Sequence, residues 1–183
     1  MDYILTNQLR VLAIDPSTKG IGFAILEGPE RLIDWGIKQA EGETDDAKNA
    51  ECAKIVAELI DRYRPRILAL EDAAADDSRR CQRVQILLAA IRQLAREKRV
   101  KVMDLTPERV RKAFTPTKDV IAAAIAGRFP ELQPRLPKPR TLTMSEQYEM
   151  PVFDAMAFAL TYFYFKNGKQ LSEERKLIKS AFH

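Results

Sequence analysis

Apolar and polar positions along the chain change period several times, and each change marks an element. Val11, Leu12, Ala13 and Ile14 form an uninterrupted apolar run that ends abruptly in Asp15, which predicts a buried strand over 10–15. The turn Pro16-Ser17-Thr18-Lys19 leads into a second strand over 20–26, so the two make a hairpin. Gly28-Pro29 then turns the chain into a third strand over 31–38. Thr44 followed by Asp45 and Asp46 marks the start of a helix that runs to Tyr63 and is ended by Pro65. Ile67-Leu-Ala-Leu70 is too short for a helix and reads as a fully buried parallel strand closed by Glu71.

From residue 78 to residue 99 the apolar positions Val84, Leu87, Leu88, Ile91, Leu94 and Ala95 recur at helical spacing, with arginines between them. A fifth strand is expected over 100–105. Thr106 with Pro107 then opens one helix, and Thr117 opens another that ends near Gly127. Residues 128–146 hold four of the ten prolines and read as a long loop carrying Arg135, Lys138 and Arg140. A last core helix starts around Met150 and contains Asp154 in its first turn, and Ser172 caps a short polar helix. Three hairpin-linked strands followed by strand–helix units give an α/β fold: a five-stranded mixed sheet flanked by helices, with the first strand central. Residues 1–166 are expected to form one domain and 167–183 a helical tail.

Composition narrows the chemistry. The chain has 183 residues, 46% of them hydrophobic, enough for one sizeable core. No apolar run reaches membrane-spanning length and the N-terminus lacks a signal-peptide layout, so a cytoplasmic location is expected. Cys52 and Cys81 fall in stretches read as helices and are expected to be reduced. The single histidine is His183, which leaves hydrolytic chemistry to carboxylates rather than to a Ser-His-Asp triad or an imidazole zinc site. The net charge of +4 conceals an asymmetry: residues 1–77 carry 9 basic and 16 acidic side chains, residues 78–118 carry 12 and 3. An acidic region beside a basic block suits a protein that holds both divalent cations and nucleic acid, although a solvated basic helix would give the same count.

Asp15, Glu71 and Asp154 each sit on a core element, where a carboxylate needs a compensating cation or donor set. If the strands ending in Asp15 and Glu71 lie parallel and adjacent, both carboxylates emerge at one sheet end, where hard oxygens can hold Mg2+ or Mn2+ and Asp154 can complete the site. Two such ions about 4 Å apart could drive phosphodiester hydrolysis without a histidine. Each carboxylate alone could equally cap a turn, pair with an arginine or favour a helix dipole.

The segments Val11-Leu-Ala-Ile-Asp15-Pro-Ser-Thr-Lys-Gly20-Ile-Gly22, Leu68-Ala-Leu-Glu71, Leu105-Thr-Pro-Glu-Arg-Val-Arg111, Thr117-Lys118 and Asp154-Ala-Met-Ala-Phe-Ala, in this order and spacing, resemble the RuvC family of Holliday junction resolvases over about residues 10–165. The resemblance implies a ribonuclease H-like fold, a homodimer, and Mg2+-dependent cleavage of four-way or other branched DNA. It maps Asp15, Glu71 and Asp154 onto metal-binding catalytic carboxylates and Lys118 onto a lysine near the scissile phosphate. Arg79, Arg80, Arg83, Arg109, Arg111 and Lys112 are expected to contact nucleic acid. The chain departs from the family pattern at three places. Pro151 replaces a fourth ligand, for which Glu149 or Glu146 could substitute; Asp72-Ala73-Ala74-Ala75 lacks an aromatic residue that acts on junction bases; and Ser17 replaces a glycine. The competing readings are a nucleic-acid-binding protein without catalysis, a flap nuclease, an actin-like phosphotransferase and a glycosidase.

Overall fold

In a computed structural model the apolar runs become five strands and five helices, described over residues 9–72, 74, 80–114, 117–138 and 148–167. The order is β1 (Arg10–Pro16), β2 (Gly20–Glu27), β3 (Arg31–Gln39), α1 (Asp45–Tyr63), β4 (Ile67–Glu71), α2 (Gln82–Glu97), β5 (Lys101–Leu105), α3 (Pro107–Ala113), α4 (Lys118–Arg128) and α5 (Met150–Asn167). The sheet runs β3-β2-β1-β4-β5, with β1–β2 and β2–β3 antiparallel and β1–β4 and β4–β5 parallel. The expected mixed five-stranded sheet with a central first strand is therefore present.

Period-two alternation divides the core. Val11 and Ala13 of β1, Ala24 and Leu26 of β2, and Ile67 and Ala69 of β4 pack with α4 and α5 on one face. Leu12 and Ile14, Ile25, and Leu68 and Leu70 pack with α1 and α2 on the other. The same parity assigns Asp15, Gly22 and Glu71 to the α5 face. α5 is apolar nearly all round because it lies across the sheet: Val152, Phe153, Ala155, Met156 and Ala159 are all buried.

Several boundaries differ from the sequence reading. α2 begins at Gln82, not at residue 78, and Cys81 is its exposed N-cap rather than a helical residue; Cys52 is buried in α1 as expected. Arg80 precedes the helix, and its side chain is tied to the ends of β1 and β4. α2 stops at Glu97, and Arg99 (φ 57°) turns the backbone into β5. Within the segment read as loop, Pro130–Arg135 forms a 3-10 turn that buries Leu132, because Phe129 and Leu132 find apolar partners under α4 and α5. Asp154 is the fifth residue of α5, one turn further in than expected. The expected helix at Ser172, the tail 167–183 as a unit, Arg79, Arg140 and Glu146 lie outside the described residues, save Asn167 as the end of α5.

Candidate active site

β1 and β4 are parallel, with Val11 beside Ile67 and Ala13 beside Ala69, so the register carried two residues further sets Asp15 alongside Glu71 at one sheet end. Both point to the α5 face and both are buried, Asp15 at 2% and Glu71 at 8% exposure. α5 brings the third carboxylate. Gly22, paired with Asp15 across the β1–β2 ladder, makes this approach feasible, because a Cβ built there would lie 2.3 Å from the Pro151 carbonyl carbon and oxygen. Pro151, where the sequence resemblance implies a fourth ligand, packs against this glycine. Gly22→Ala is expected to displace the first turn of α5 at a cost of about 1–3 kcal/mol. It should also lower any activity that needs Asp154 beside Asp15 by more than the lost folded fraction explains. Urea unfolding and a rate measured at constant folded fraction check the two effects.

Asp15, Glu71 and Asp154 need cations, and among the described residues Arg80 and Lys118 meet them. Arg80 inserts its guanidinium between the strand ends: Nη2 pairs with Asp15 Oδ1, Nε donates to Glu71 Oε2 at 2.6 Å, and Nη1 donates to the Pro16 carbonyl at 2.9 Å. Lys118, at the start of α4, donates from Nζ to Asp154 Oδ2 at 2.6 Å. Burial pushes the Asp15 carboxyl up to about 7; Arg80 opposes this, Asp154 adds to it, and Lys118 and Glu71 contribute smaller effects of opposite sign. Asp15 therefore feels both other carboxylates and both cations. Burial would lower the basicity of Arg80, but its pairing with Asp15 and Glu71 outweighs this and raises it, so the guanidinium stays charged.

Arg92 of α2 has a supporting role that sequence reasoning missed. Its Nη2 donates to the Glu71 carbonyl at 3.0 Å and its Nε to Asp104 Oδ1 at 2.8 Å, which ties the end of β4 to α2 and β5. No sequence signal separates Arg92 from the other arginines of that helix.

The remaining expected residues divide. Glu149 pairs with Arg135 at 2.7 Å, and among the described residues it joins no group of three carboxylates close enough to hold an ion. Arg83 is committed to protein: it donates to the Ser17 carbonyl at 2.8 Å and to Asn49 Oδ1 at 3.0 Å, and so steadies the β1–β2 turn. Arg109, Arg111 and Lys112 are exposed on α3, with Arg109 over the Phe165 ring and Lys112 paired to Glu108.

Among the described residues, no three acidic, cysteine or histidine side chains surround one point closely enough to hold an ion as they stand. The donor chemistry nevertheless suits a hard divalent cation: Asp15 and Glu71 are buried together on Arg80, and Asp154, paired to Lys118, is near enough to act on Asp15.

No protein-family model and no curated protein sequence matches the chain. Solved structures do. RuvC from Thermus thermophilus in complex with a Holliday junction substrate superposes with a TM-score of 0.66 at 24% identity, covering 87% of this chain and 96% of that one. The yeast mitochondrial Holliday junction resolvase Ydc2 matches with a TM-score of 0.60 at 15% identity, over 94% of this chain and 84% of its own. The fowlpox virus resolvase, solved with its substrate Holliday junction DNA, gives a TM-score of 0.51 at 15% identity over 85% and 99%. The chain has the ribonuclease H-like fold in the form found in RuvC-like Holliday junction resolvases.

Proposed function

We propose that this protein is a divalent-metal-dependent endonuclease that cuts four-way DNA junctions. The observation that carries the reading is the placement of Asp15 and Glu71 together at one sheet end, joined by Arg80, with Asp154 and its partner Lys118 near enough to act on Asp15. Mg2+ or Mn2+ held by the three carboxylates would supply Lewis-acid stabilisation of the charge that builds up on a phosphodiester undergoing in-line displacement. Lys118, half exposed beside Asp154, is placed to meet a phosphate oxygen. Arg109, Arg111 and Lys112 on the exposed side of α3 are suited to the flanking backbone. Arg80, buried between Asp15 and Glu71, would have to leave these carboxylates before it could contact DNA.

Resolution of a junction requires two cuts, and α2 offers a surface for a second subunit. Its inner face is buried on the sheet, while Ile86, 53% exposed, shares the outer face with the exposed Ala89 and Ala90. A two-fold pairing along this helix would make the homodimer expected from the family. No described helix is long and apolar enough to cross a membrane; a cytoplasmic location belongs to the same proposal.

Labelled four-way junction, flap and linear duplex DNA, each incubated with protein in EDTA, Mg2+ or Mn2+, test the reading. Paired metal-dependent cuts in the junction are the expected result. Cuts confined to flaps or duplex would reassign the substrate. Junction binding with no cut under any metal would replace the enzyme by a nucleic-acid-binding protein that keeps the fold.

A further inference from the structure

Immediately beside the carboxylates, a cleft of about 300 Å3 opens between the β1–β2 turn, the start of α2 and the entry to α5. Pro16, Val84 and Pro151 form apolar walls, and Lys19 and Arg80 bring positive charge. Tyr148 lines the same cleft with 44% of its surface exposed, and Gln39 Nε2 donates to its hydroxyl at 3.1 Å. An exposed ring fixed at its far end keeps a face available and loses little freedom when something stacks on it. The volume lies at the low end for ligand sites, enough for a single ring-sized group rather than an extended molecule.

We infer that this cleft takes one unpaired nucleobase of the bound strand, stacked on Tyr148, while Lys19 meets an adjoining phosphate. The inference rests on the proposed nuclease reading and names a contact within it. Pro16 directly follows Asp15, so a base in the cleft belongs to a nucleotide next to the phosphate at the carboxylates. Stacking is favoured over hydrogen-bond readout because the walls are apolar and every base has a π face. It would also supply an aromatic contact with the strand that residues 72–75 cannot provide.

Cys81 lines the cleft and is exposed, whereas Cys52, the only other cysteine, is buried, so the native protein carries its own reporter. The experiment measures the alkylation rate of Cys81 by iodoacetamide in EDTA. Protein is saturated with a single-stranded oligonucleotide, with the same backbone made fully abasic, or with a four-way junction. In parallel, oligonucleotides carrying 5-iodouracil are irradiated and the cross-linked peptide is sequenced.

Base-bearing DNA is expected to slow Cys81 alkylation and to cross-link at Tyr148, while the abasic strand, bound through its phosphates, leaves the thiol reactive. Tyr148→Ala should weaken base-dependent binding by about fivefold or more, and Tyr148→Phe should retain it. Equal protection by abasic and normal strands, or DNA binding with no protection and cross-links elsewhere, overturns the cleft assignment and leaves the nuclease reading intact. Failure of every DNA to bind overturns both. Cys52 remaining unreactive shows that each variant is folded.

Discussion

Asp15→Asn is expected to lower metal-dependent junction cleavage by about a thousandfold or more while leaving junction binding within a few fold of the native protein. Asp15 is the most deeply buried of the three carboxylates and stands at the centre of the site, paired to Arg80 and sensing Glu71, Asp154 and Lys118. The amide keeps the shape but removes the charge that would hold a cation. Cleavage at the native rate would remove Asp15 from the catalytic site. The same variant carries a stability signature. The Asp15 carboxyl is held at about 7 against an ordinary 3.8, so between these values the folded protein binds a proton that the unfolded chain has released. Without metal, this group therefore makes the native protein less stable as pH rises from about 4 to about 7. Melting curves in EDTA should show that decline, and Asp15→Asn should flatten it.

The carboxylates were legible in the sequence because each ends or interrupts an apolar run, and an apolar run fixes its own place in a core. Alternation along Val11–Ile14 and Ile67–Leu70 also fixes the face: residues two and four before Asp15 and Glu71 are buried under α5, so the carboxylates turn to α5 as well. What local pattern could not show is which side chains cross between elements. Arg80 looks like one more cation on a basic helix, yet it lies before the first helical residue, Gln82, and meets Asp15, 65 positions away. Arg83 belongs to the same basic block and is used to hold the Ser17 carbonyl. Gly22 enters the sequence reading only as a motif position, whereas its actual constraint is the approach of Pro151 from the far end of the chain. Pro130–Arg135 misleads for a simpler reason: prolines suppress helical periodicity while remaining compatible with a 3-10 turn that begins at one of them.

The arrangement also explains how three carboxylates can be kept together before any ion arrives. Two sit in the core and repel each other, so the site is stable only with positive charge in it. Arg80 supplies that charge with a planar fork that reaches both Asp15 and Glu71, and its third contact, to the Pro16 carbonyl, ties the fork to the end of β1. In the proposed metal site, a divalent ion at Asp15 and Glu71 would compete for the same oxygens, and stability without metal and affinity for metal would be opposed through one side chain.

Arg80→Gln separates these two quantities. In EDTA the variant leaves two buried carboxylates without their shared partner. Removal of one member of a buried ion pair costs about 3–5 kcal/mol, and less here because Arg80 keeps 20% of its side chain in water and Asp15 can take up a proton. A loss of about 2–3 kcal/mol is expected, a fall in melting temperature of about 5–10 °C for a chain of this size. Mn2+ should restore most of the loss, because the ion now fills the place of the guanidinium without having to displace it. Titration calorimetry should then show tighter Mn2+ binding to the variant than to the native protein. Arg80→Lys, which keeps the charge but not the fork, should fall between the two. An Arg80→Gln protein that melts like the native one in EDTA, or binds Mn2+ more weakly, would mean that Arg80 does not guard the carboxylates, and that their proximity is maintained by the backbone and by Lys118 and Arg92 alone.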